Sequence, residues 1–121
     1  MQESVILIEN NKECSRKIKA TLENTFKSKV VVEQSTKEDI NYSQLSSKHA
    51  ITLISMDPDN EKEISYAKKF IKNNPEALTV ALSSSEDNFY HKFVREIGFF
   101  GFINKKNFSQ DYNSTLNILN S

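Results

Sequence analysis

The sequence predicts an α/β protein with five parallel strands in one doubly wound sheet. Three observations carry this. Short apolar runs alternate with stretches whose apolar residues recur at helical spacing, and such alternation argues for a parallel sheet with helices on both faces. The first and fourth runs are almost continuous in apolar residues, as expected of strands buried on both sides. The only two glycines frame the last run, in Gly98-Phe99-Phe100-Gly101-Phe102-Ile103-Asn104-Lys105.

The elements follow in order. Val5-Ile6-Leu7-Ile8 is the first strand. Cys14, Ile18, Leu22 and Phe26 recur every fourth residue and make the apolar stripe of a first helix, capped by Asn10 or Asn11. Val30-Val31-Val32 is the second strand. Thr36-Lys37-Glu38-Asp39 has the form of a capping box and opens a weak second helix carrying Ile40 and Leu45. Ile51-Thr52-Leu53-Ile54 is the third strand, and Ile64, Ala67, Phe70 and Ile71 mark the third helix. Leu78-Thr79-Val80-Ala81-Leu82 is the fourth strand. Phe89, Phe93, Val94 and Ile97 mark a fourth helix, which Gly98 ends by adopting a left-handed conformation. Gly101-Phe102-Ile103 is the fifth strand. Phe108, Tyr112, Leu116 and Leu119 mark the fifth helix.

Right-handed crossovers bring the strand ends at Glu9-Asn10, Ser55, Ser83 and Lys105 to one edge, where the ligand crevice of a 2-1-3-4-5 sheet lies. Lys105 is the leading site residue on this reading.

Composition bounds the function. The 121 residues fit a single domain, 1–121, with a real core. Sixteen basic residues balance sixteen acidic ones, so steering toward nucleic acid is not expected of this domain. Cys14 is the only cysteine, which excludes an internal disulfide and suits a reducing compartment. No apolar run approaches the ~20 residues of a membrane span, and residues 1–8 lack a signal-peptide pattern. A cytoplasmic protein with no membrane partner is expected. A flavodoxin-like cofactor binder would need a glycine-bearing phosphate loop after the first strand, and Glu9-Asn10-Asn11-Lys12 has none. His49 and His91 have no partners at metal-ligand spacing, and Cys14 reads as a buried helix residue.

Over nearly its full length the chain resembles the receiver domain of bacterial two-component response regulators, which implies a flavodoxin-like fold with the strand order 2-1-3-4-5. Val5-Ile6-Leu7-Ile8-Glu9-Asn10-Asn11 resembles the first strand with its acidic pair. Leu78-Thr79-Val80-Ala81-Leu82-Ser83-Ser84 resembles the fourth strand, which ends in Ser or Thr. The segment from Gly98 to Lys105 resembles the fifth strand, with a switch aromatic at Phe102 and the site lysine at Lys105.

The resemblance implies a site of three carboxylates holding magnesium, one of them accepting a phosphoryl group from a histidine kinase. This sequence departs from it. The acidic pair is Glu9-Asn10, and the acceptor position at the end of the third strand is Ser55. Magnesium favours anionic oxygen ligands, so its binding is expected to be weak or absent, and no metal ligand is assigned. A Glu9–Lys105 pair is expected to fill the pocket, with Ser55 and Ser83 as neutral neighbours. Ser55 lacks a base or metal to activate it as a nucleophile. Asp57 is the alternative phosphoacceptor, because a shift of two residues preserves strand facing. Its competing reading is a helix cap ahead of Pro58 or a plain loop residue. Lys106 stands where the family has a cis proline, so a trans bond is expected, a non-proline cis bond costing about 2.5–4 kcal/mol.

The reading that follows is a non-enzymatic pseudo-receiver that binds a protein partner. The candidates are a histidine kinase, another regulator or a second copy in a homodimer. The face formed by the fourth helix, fifth strand and fifth helix is the expected interaction surface. Tyr90, Phe99 and Phe100 are its candidate residues, and at least one of them is expected to be exposed.

Overall fold

The structure, a computed structural model, describes residues 3–36, 51–85 and 88–119. Five strands, β1 (Ser4–Ile8), β2 (Lys29–Gln34), β3 (Ile51–Ser55), β4 (Leu78–Ser83) and β5 (Gly101–Asn104), form one parallel sheet in the order β2-β1-β3-β4-β5. The described helices are α1 (Lys12–Asn24), α2 (Glu61–Asn73), α3 (Asn88–Ile97) and α4 (Phe108–Leu119). The last two are the fourth and fifth helices of the sequence reading. The expected helix over Ile40 and Leu45, and His49, lie outside the described residues.

The continuous apolar runs are explained by two cores, one on each side of the sheet. Side chains alternate between faces along a strand. Val5, Leu7, Leu53, Val80, Leu82 and Ile103 meet Ile18 and Leu22 of α1 and Phe108 and Tyr112 of α4. Ile6, Ile8, Ile54 and Ala81 meet Ala67 and Phe70 of α2 and Tyr90 and Val94 of α3. A strand that serves both cores has no position to give to a polar residue, apart from small hydroxyls such as Thr52 and Thr79.

Helix ends follow local chemistry. Asn11, rather than Asn10, caps α1, its side chain accepting the Cys14 N–H at 2.9 Å. Phe26 lies past the end of α1 but still joins that core, edge-on to the Tyr112 ring at 4.8 Å. Asn60 caps α2 by accepting the Glu63 N–H at 3.1 Å. The capping reading of Asp57 is therefore corrected: it stands in the loop before the cap, and Pro58 does not open the helix. Gly98 ends α3 with φ +116°. Its N–H bonds to the Arg95 carbonyl, and the Phe99 N–H bonds to the Val94 carbonyl. That is a Schellman closure, accompanied by burial of Val94 and Phe99 in one core.

In α3 the inward face differs from expectation. Phe89 is 80% exposed and Tyr90 is buried. Tyr90, Val94 and Ile97 follow the i, i+4, i+7 spacing of a helix face, and Phe89 falls outside it. The Tyr90 hydroxyl satisfies itself by donating to the Met56 carbonyl. After β5, residues Lys105–Asn107 form a single 3-10 turn, anchored by Asn104, whose side chain accepts the Lys106 N–H at 2.9 Å. The Lys105–Lys106 peptide is trans, as expected.

Candidate functional site

The C-terminal strand ends converge, and the side chains there sort into two hydrogen-bonded groups. The first is built on Glu9, just past β1, and Lys105, just past β5. Lys105 Nζ lies 2.7 Å from Glu9 Oε2, with the two side chains only 17% and 3% exposed. The ammonium also donates to Ser55 Oγ at the end of β3, at 2.9 Å. Glu9 Oε1 accepts the Asn11 N–H at 3.2 Å, and the Cys14 thiol donates to Glu9 Oε2 at 3.6 Å. Burial alone would lower the Lys105 pKa. The hydrogen bond and charge of Glu9 outweigh it and hold the ammonium above its ordinary value. Burial first, and then the Glu9 charge, push the Cys14 thiol up. Cys14 is thus half-buried and tied to the site, not simply a core residue.

The second group is built on Asp57 and Glu63. Ser83 Oγ donates to Asp57 Oδ1 at 2.7 Å, and the Asp57 N–H donates to Glu63 Oε1 at 3.0 Å. Glu63 Oε2 accepts Asn10 Nδ2 at 2.8 Å. Asn10 Oδ1 in turn accepts the N–H and hydroxyl of Thr36. Two of the expected pocket residues belong to this group. Asn10 and Ser83 do not hydrogen-bond to the Glu9–Lys105 pair: their hydrogen bonds run to Glu63 and Asp57. A neutral amide bridges a carboxylate and a backbone segment where a second carboxylate would face Glu63 in repulsion. Asp57 also borders an open groove of about 820 Å³ with Pro58, Asn60 and Ser84.

Glu63 is the site residue that the sequence reading missed. Its signal is the spacing Asn60-x-x-Glu63, that of a capping box. The glutamate, buried itself, reaches beyond the cap to Asp57 and Asn10. Among the described residues, no three side chains of His, Cys, Asp and Glu are grouped to hold a metal ion.

Phe102 is partly buried, with its ring edge-on to Tyr90 at 4.9 Å and to His91 at 4.8 Å. Of the three aromatics proposed for the interaction face, Tyr90 and Phe99 are buried in the core and only Phe100 is exposed, at 46%. Phe99 is drawn in by the helix closure at Gly98, and the next residue of an extended chain then points the other way.

No protein-family model matches the sequence, and no curated protein matches it. Solved structures do. The chemotaxis protein CheY4 of Vibrio cholerae matches with a TM-score of 0.73 at 12% identity, over 97% of this chain and 98% of that one. The BeF3-activated N-terminal receiver domain of Klebsiella pneumoniae RstA matches with a TM-score of 0.74 at 17% identity, over 96% and 97%. The signal receiver domain of a DNA-binding response regulator (merR) from Colwellia psychrerythraea matches with a TM-score of 0.70 at 12% identity, over 99% and 100%. The chain has the receiver fold, the flavodoxin-like arrangement with strand order 2-1-3-4-5.

Proposed function

We propose that this receiver fold is a pseudo-receiver: a non-enzymatic signalling module that takes no phosphoryl group at Ser55 and acts by binding a protein partner. The observation that carries the reading is the Glu9–Lys105–Ser55 group. The end of β3 offers a hydroxyl, already engaged by Lys105, where a phosphoacceptor carboxylate would be needed. The donor set does not fit magnesium, because Glu9 is neutralised by Lys105 and Asn10 is turned to Glu63. The partner is a histidine kinase, another regulator or a second copy, met through the face of α3, β5 and α4 that carries Phe100. The test is incubation with magnesium and a small phosphodonor, followed by intact mass measurement. An unchanged mass is expected, and a stoichiometric phosphoryl adduct overturns the reading.

One observation favours a second reading. The Asp57 carboxylate faces the Ser83 hydroxyl at 2.7 Å beside an open groove. Asp57 would then be the phosphoacceptor of a divergent active receiver served by a histidine kinase. This reading requires an adduct that Asp57→Ala removes.

A further inference from the structure

A groove between α1 and the C-terminal end of β2 carries chemistry that neither strand-end group uses. Its volume is about 500 Å³, and Lys12, Ser15, Arg16 and Lys19 line it on the α1 side. The three cations are spaced i, i+4 and i+7, which places them along one flank of the helix. Among the described residues none of the three has an ion-pair partner, whereas Lys17 of the same helix pairs with Glu13. Lys12 is the first residue of α1, where a cation opposes the helix dipole unless an anion lies nearby.

A second, independent observation comes from Ser15. It is 4% exposed, and among the described residues its hydroxyl has no hydrogen-bond partner. An orphaned buried hydroxyl is costly and calls for an explanation. Two carboxylates, Glu9 and Glu33, also line the groove, but Glu9 is already neutralised by Lys105. The lining therefore keeps an excess of positive charge. Among the described residues it contains no aromatic side chain on which a nucleobase could stack.

We propose that this groove, roomier than a phosphate ion alone would fill, binds a small phosphate ester. Arg16 and Lys19 hold the phosphate, Lys12 closes on it, and the Ser15 hydroxyl rotates to donate to a phosphate oxygen. A guanidinium fork and ammonium groups match a phosphate dianion in geometry and charge. The proposal is independent of whether Asp57 or Ser55 takes a phosphoryl group.

The test is a backbone-amide NMR titration of the full chain at constant ionic strength. The probes are glycerol phosphate, inorganic phosphate and glycerol. Saturable shifts at residues 12–19 and 33–35 are expected with glycerol phosphate, weaker ones with inorganic phosphate, and none with glycerol. The double variant Arg16→Gln with Lys19→Gln is expected to weaken binding about tenfold or more. Ser15→Ala is expected to weaken it severalfold. Lys92→Gln, on α3, is expected to leave it unchanged. Lack of saturation with both phosphate probes overturns the proposal, as does full affinity in the double variant with its spectrum otherwise intact.

Discussion

Lys105 spends its charge on Glu9. At 2.7 Å, with both side chains largely withdrawn from water, the pair satisfies two ions that would each be expensive to bury alone. Lys105→Met leaves the Glu9 carboxylate unpaired. The expected loss is about 3 kcal/mol in urea unfolding, the low end for a buried pair because Lys105 retains some exposure. The sign of the pH dependence follows from the raised Lys105 pKa. Its contribution is fully present below the ordinary lysine value of 10.5 and is lost as pH rises through the higher folded value. The difference in unfolding free energy between the parent and Lys105→Met should therefore hold steady at neutral pH and shrink at strongly alkaline pH. The pair itself was expected from the resemblance to receiver domains, in which a carboxylate after the first strand and a lysine after the fifth share one sheet edge. The thiol of Cys14 and the carboxylate of Glu63 were not, because each joins the site across a helix end that only folding positions.

The two glycines do different work in the elements they join. At Gly98 the φ of +116° is one L side chains rarely adopt, and an added Cβ would meet Ile71 Cγ2 at 3.1 Å. Gly98→Ala is expected to cost about 1–3 kcal/mol in chemical unfolding. Gly101 has no heavy atom within 4 Å of the position its Cβ would take, and its φ is not positive. Gly101→Ala is expected to change stability by less than about 1 kcal/mol, with stabilisation the favoured sign. The neighbouring aromatics separate in the same way. Phe99→Ala should cost about 3–5 kcal/mol as a core truncation, and Phe100→Ser should stay within about 0.5 kcal/mol. A weakened partner complex with unchanged stability in Phe100→Ser would mark the interaction face. Helical periodicity identified Val94 and Ile97 but could not separate Phe89 from Tyr90, since both are aromatic and adjacent. Burial went to the residue whose hydroxyl finds the Met56 carbonyl.

For the molecule as a whole, five parallel strands bring five distant segments to one edge, and what that edge binds depends on all of them together. A ligand that binds only the folded state raises the unfolding midpoint. On the pseudo-receiver reading, millimolar magnesium should leave the thermal midpoint where it was, and a clear rise would point to a working metal site. Alternation of apolar runs, helical spacing and the position of Gly98 were enough, from sequence alone, to determine the succession of strands and helices and the parallel α/β class, because those signals are periodic and local; the strand order and the meeting of Glu9, Ser55 and Lys105 were expected from the resemblance to receiver domains. Only the tertiary structure decided that Ser83 turns to Asp57, that Asn10 turns to Glu63, and that Phe100, rather than Tyr90 or Phe99, reaches solvent. Each of those choices is a competition among hydrogen-bond partners or burial sites contributed by separate elements. Spacing along the chain carries no information about which partner is nearer in space.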